Sequence, residues 1–253
     1  MSNHSRFASD EIAKLFAANG LRDLDDAFRV GEYLGEQHYR RATRHQNKHV
    51  VKLDLAGSNG TTSVYIKRQW RRARWLPRPT DIRHRINLQC SPVHEWRGLR
   101  ILEDAGFNVS QPLAVFWSGW GLARGAVVTR AVPPDSSMAD LLLSGKLLEM
   151  PTDRLNALID AAVNVVARLH QARISWRSMK AKHFYPEELN DGTWRIWLID
   201  CEGVCRWASR RDCRREWQTY LESFTSRTPA LQRVFVAAYD RALSAVCGLK
   251  KSA

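Results

Sequence analysis

The hydrophobic period changes once along the 253 residues, at Pro133 and Pro134, and no other feature restricts the fold as strongly. Upstream, residues 49–55 (HVVKLDL) and 62–67 (TSVYIK) alternate apolar and polar with a period of two, the pattern of a strand with one buried face. Downstream, Leu155, Leu158, Ile159, Ala162, Val163, Val166 and Leu169 recur at helical spacing across 152–171. Such a chain is expected to be an α+β protein with a small strand-rich part over 1–131 and a larger helical part over 132–253. The outline is bilobal, with a cleft expected near 130–134. At 44% hydrophobic residues there is enough apolar side chain to bury a core in each part.

Local signals fill in this outline. Ile12, Leu15, Phe16, Leu21, Leu24 and Phe28 predict two short helices within 9–34, separated at Asn19-Gly20. Turn chemistry at 57–60 (GSNG) joins the two alternating runs into a hairpin, and an earlier strand is expected near 39–43. A helix is predicted over 91–105, with Ser91 as its cap, Pro92 at its first position and Glu95 in its first turn. Strands are expected over 111–117 and 125–130. In the second part, apolar runs at 183–185 and 194–200 flank the turn residues 190–192, and helices follow over 209–224 and 229–246.

Charge narrows the partners. The formal net charge of +13 calls for an anionic partner or surface, which nucleic acid, lipid headgroups and phosphorylated glycans all satisfy. Residues 69–85 (QWRRARWLPRPTDIRHR) alternate arginine with tryptophan around prolines, a composition suited to a headgroup interface. No zinc-finger or RNP signature favours nucleic acid. The first ten residues lack an apolar h-region, and no run approaches the roughly 20 apolar residues of a membrane span, so a cytoplasmic setting is expected. Five cysteines without a CxxC pair read as reduced thiols rather than a zinc site or disulfide framework.

Phosphoryl transfer requires a cation on the nucleotide phosphates, an anion to fix that cation, and acids to hold magnesium. Candidates occur in that order. Lys67 ends the strand run 64–67, and Glu95 on the following helix can pair with it. Residues 169–185 (LHQARISWRSMKAKHFY) follow the long helix with the length of a catalytic loop, and the run 197–200 (WLID) ends in Asp200. Taken together, the strand lysine, Glu95 in HEWRGL, the LH pair, the KHF run at 182–184 and LID resemble the Kdo/WaaP lipopolysaccharide kinases and their InaA-type relatives, over roughly 39–224.

The resemblance implies a protein-kinase-like fold and an ATP- and Mg²⁺-dependent kinase that phosphorylates heptose or Kdo of the lipopolysaccharide inner core at the cytoplasmic face of the inner membrane. It implies that Lys67 contacts the nucleotide phosphates, Glu95 holds Lys67, Asp200 binds magnesium, and His183 occupies the position of the second metal ligand. Lys180 keeps the place of the loop lysine that neutralises the transferring phosphate. The chain departs from the family at Ser178, which stands where a general-base aspartate is usual, and at Trp176, which replaces the preceding histidine; residues 172–185 contain no carboxylate. It also lacks GxGxxG, leaving phosphate binding to Lys67, backbone amides and the arginines of 40–44. Arg206, Arg210, Arg211, Arg214 and Arg215 can grip phosphates of a core oligosaccharide, or form a solvated face paired to Asp212 and Glu216. A pseudokinase scaffold binding nucleotide or lipopolysaccharide intermediates, and a basic nucleic-acid-binding protein, are the alternative functions.

Overall fold

Alternation in 47–70 does what a period of two dictates in the computed structural model, which describes residues 3–29, 32–33, 47–58, 60–70, 91–118, 124–207, 209–225 and 228–249. Strands β3 (Asn47–Gly57) and β4 (Gly60–Trp70) form one long antiparallel hairpin, closed where Gly57 faces Gly60. Gly60 has φ +106°, a conformation a side chain would strain. The chain divides into two compact units: residues 1–100 with 110–131, and residues 101–109 with 132–253.

The first unit is built on a six-stranded antiparallel sheet. Besides β3 and β4 it contains β1 (Asn3–Phe7), β2 (Glu32–Tyr33), β5 (Pro112–Ser118) and β6 (Arg124–Arg130), in the order β1-β5-β6-β4-β3-β2. Val51, Val64, Ile66 and Val128 bury one face under Phe16 of α1 (Asp10–Ala18) and Leu24 and Ala27 of α2 (Leu24–Arg29). The alternate residues Val115 and Val127 form a second cluster with Val93 and Trp96 of α3 (Ser91–Asp104). The division between the units falls within α3, after Arg100.

Two details of α3 differ from expectation. Ser91 is itself helical, its hydroxyl finds no hydrogen-bond partner among the described residues, and Glu95 lies beyond the first turn, which contains no acid. The strand expected near 39–43 falls outside the described residues.

The second unit is organised on α6 (Thr152–Gln171), whose Leu158, Ile159, Ala162, Val163, Val166 and Leu169 are buried as the 3.6-residue period requires. Before it come α4 (Met138–Leu143), closed by a capping box between Ser137 and Asp140, and α5 (Lys146–Glu149). After it, β7 (Ile174–Trp176) pairs with β10 (Val204–Arg206), and β8 (Phe184–Glu188) with β9 (Trp194–Leu198). Helices α7 (Arg210–Thr225) and α8 (Ala230–Leu249) complete the unit. Among the described residues no helix is long and apolar enough to cross a membrane.

Candidate functional site

The candidate residues fall into two groups, one in each unit. In the first, Lys67 sits opposite Val127 in the β4–β6 register, and Val127 belongs to the cluster capped by α3. Period two therefore turns Lys67 toward the α3 face, where Glu95 precedes the buried Trp96. Lys67 Nζ lies 2.5 Å from Glu95 Oε2, with the lysine side chain 17% exposed and the glutamate 7%. A pair this sheltered has its geometry fixed by the surrounding core rather than by solvent-exposed Coulomb attraction, which contributes little.

The second group lies on the loop after α6. Arg173 follows the helix in the left-handed region (φ 52°), β7 spans the next three residues, and the amide of Met179 donates to the carbonyl of Trp176 at 3.0 Å to turn the chain. Ser178 and Lys180 come out exposed on this turn. A short 3₁₀ segment, Ala181–His183, then carries His183 under the surface. Asp200 follows β9 with φ 57°, an αL conformation that asparagine and aspartate tolerate better than other side chains. His183 Nε2 lies 3.4 Å from Asp200 Oδ2, with the histidine 4% exposed and the aspartate 36%. Trp176 stacks on the His183 ring at 5.6 Å and on Phe184 at 5.8 Å, and with no exposure of its own it is the core support of this corner.

The segment after Asp200 returns across the loop. The amide of Arg177 donates to the carbonyl of Gly203 at 3.4 Å, and a Cβ at Gly203 would stand 3.2 Å from Ser178 Oγ. Ser178 and the residues following Asp200 are thus neighbours.

Sequence reasoning missed Glu216. One of the two readings of the arginine cluster has it pair arginines, with Asp212, on a solvated face of α7. Arg215 does pair with Asp212 at 3.1 Å, but Glu216 is 2% exposed. Its Oε1 accepts a short hydrogen bond from the Ser175 hydroxyl, and its Oε2 accepts one from the Trp176 amide at 3.0 Å. His170 Nε2 stands 3.8 Å from Oε2, while His170 Nδ1 is 2.6 Å from the Tyr239 hydroxyl. Burial pushes the Glu216 carboxyl up, but contacts with His170, Ser175 and Trp176 outweigh it and leave the group below the ordinary carboxylate range. The available signal was position: Glu216, Tyr220 and Phe224 share one stripe of α7, and the two aromatics are fully buried.

Other expectations lie beyond description. The arginines of 40–44 fall outside the described residues, as do residues 71–85 of the tryptophan-bearing basic stretch, of which Gln69 and Trp70 belong to β4.

No group of three or more His, Cys, Asp or Glu side chains able to hold a metal occurs among the described residues. Magnesium prefers an octahedron of oxygens, commonly one or two carboxylates with phosphate and water. The half-exposed Asp200 carboxylate fits that donor set as a single protein oxygen ligand, with His183 beside it.

The model of the lipopolysaccharide kinase (Kdo/WaaP) family matches residues 29–239. No curated protein matches the chain by sequence. Among solved structures, "WaaP in complex with acyl carrier protein" is similar with a TM-score of 0.65 at 16% identity, covering 94% of this chain and 89% of that one. The shared architecture is a protein-kinase-like fold.

Proposed function

Because the chain belongs to the lipopolysaccharide kinase (Kdo/WaaP) family, we propose that it transfers the γ-phosphoryl group of ATP to a hydroxyl of heptose or Kdo in the lipopolysaccharide inner core. The observation that carries this reading is the sheltered Lys67–Glu95 pair, at 2.5 Å on the strand and helix where a kinase holds its nucleotide phosphates. In this role Glu95 fixes the ammonium, and Lys67 offsets phosphate charge without waiting for solvent to reorganise. Asp200 would hold magnesium through a carboxylate oxygen, steered by His183. Magnesium, when bound, would neutralise charge on the β and γ phosphates.

In the transfer, the sugar oxygen forms a new bond to the γ phosphorus and the bond to the bridging oxygen of ATP breaks. ADP leaves, and the hydroxyl proton must go to a base. Ser178 is no base at neutral pH, so we assign the proton to Glu202, two residues past Asp200, while Lys180 faces the transferring phosphate. Exposed Trp207, at 85% the most open large apolar side chain described, stands beside exposed Arg206. We propose that they help seat the protein peripherally on the anionic inner face of the inner membrane.

Ser178 supports a second reading, a pseudokinase that binds nucleotide or core intermediates without turnover. Mass spectrometry of lipopolysaccharide from cells with and without the protein separates the two. Loss of one phosphate from a core sugar in the deletion, restored by the parent chain and not by Asp200→Asn, is the outcome expected for the enzyme; an unchanged core favours the scaffold.

A further inference from the structure

Behind the catalytic loop, the second unit has a cavity of about 650 Å³ lined from three helices: His170 at the end of α6, Arg214 and Trp217 on α7, Tyr239 and Leu243 on α8, with Arg173 from the turn after α6. That volume falls within the range of small-molecule sites, roughly 300–1,000 Å³. Its aromatic wall is already assembled, Trp217 lying parallel to Tyr239 at 4.0 Å and 10°. Tyr239 keeps its proton, since burial, and then the nearby Cys213 and Asp240, push its hydroxyl up to about 12.

The two guanidiniums give the cavity its chemistry. Neither Arg173 nor Arg214 pairs with a carboxylate among the described residues, whereas Arg215, one position along, pairs with Asp212. Arg173 also stands just past the C-cap of α6 with φ 52°, a position and conformation that favour glycine. A left-handed arginine is strained relative to the right-handed region, because its Cβ crowds the following carbonyl oxygen. Retaining a strained side chain at the mouth of a cavity is the pattern of a functional site.

We propose that this cavity is a second ligand site, distinct from the Ser178 loop, which takes a sugar phosphate: Trp217 and Tyr239, stacked on each other, receive the ring together on the side of the stack that lines the cavity, and Arg173 and Arg214 receive the phosphate. Aromatic faces suit the apolar face of a sugar ring, and paired guanidiniums suit phosphate oxygens. The site communicates with the loop, because His170 lines the cavity and touches Glu216, which holds Ser175 and Trp176. None of this depends on the kinase reading.

The test is calorimetric titration of the full chain with glucose 6-phosphate, glucose and inorganic phosphate. Glucose 6-phosphate should bind, and each of Arg173→Gly and Arg214→Ala should weaken it about tenfold or more, the loss expected for one charge-assisted contact. Arg173→Gly keeps the test independent of folding, since glycine adopts the left-handed turn freely and should leave the protein at least as stable. Asp200→Asn should leave the titration unchanged. A phosphorylated core oligosaccharide, titrated in parallel, distinguishes a free sugar phosphate from one carried on a glycan by which binds tighter. Failure of glucose 6-phosphate to bind, equal binding by the Arg173→Gly/Arg214→Ala double variant, loss of binding in Asp200→Asn, or equally tight binding of inorganic phosphate would each overturn the assignment.

Discussion

Lys67 and Glu95 stabilise each other unequally, because the glutamate is the more buried partner. Lys67→Met leaves a carboxylate in the core short of its cation, while Glu95→Gln leaves a lysine with more access to water. Loss of one partner of a buried pair costs on the order of 3 kcal/mol, so urea denaturation should find Lys67→Met the more damaging change. Glu216 yields a pH prediction. Its carboxyl is depressed in the folded protein relative to an ordinary value of 4.5, so its contribution to stability is present above 4.5 and disappears as pH falls through the depressed value. The stability gap between the parent and Glu216→Gln should be widest near neutrality and shrink in acid; a gap that widens in acid contradicts the bracing role. Lys67 and Glu95 were legible because strand period and helix position carry them. Glu216 was not, because a charged residue in an arginine-rich helix looks solvated until Tyr220 and Phe224 are seen to share its stripe.

Elements long enough to show a period were readable, and the shortest ones were not. The β3–β4 hairpin and α6 emerge where alternation and 3.6-residue spacing place them. Strand β1 was missed: its residues are mostly exposed at the sheet edge beside β5, so no buried face marks it. Strands β7 and β10 are three residues each, too short for a period, yet they hold the loop that follows α6. Trp176 ends β7 with no exposure and stacks on His183 and Phe184. Trp176→Ala should cost about 3–5 kcal/mol through the cavity it leaves, and hydrogen exchange should quicken at 175–184 before α6 loosens. Equal protection of that segment in the variant would separate the tryptophan from the support of the loop.

At the scale of the whole molecule, charge dominates. A formal charge of +13, with Trp207 and Arg206 both exposed, predicts cosedimentation with anionic vesicles that weakens as salt rises from about 0.05 M to about 0.5 M. Trp207→Ala should lessen binding without altering its salt dependence. The chain belongs to the lipopolysaccharide kinase (Kdo/WaaP) family and has a kinase-like fold, and turnover is the property that decides the proposed function. The most direct measurement is transfer of labelled γ-phosphate from ATP to purified lipopolysaccharide core by the parent, Asp200→Asn, Glu202→Gln and Ser178→Asp. The enzyme account predicts transfer by the parent, its loss in Asp200→Asn, a fall of about 10²-fold or more in Glu202→Gln, and little gain from Ser178→Asp. Nucleotide binding by all four with no transfer from the parent or from Ser178→Asp would contradict it and leave the protein a scaffold.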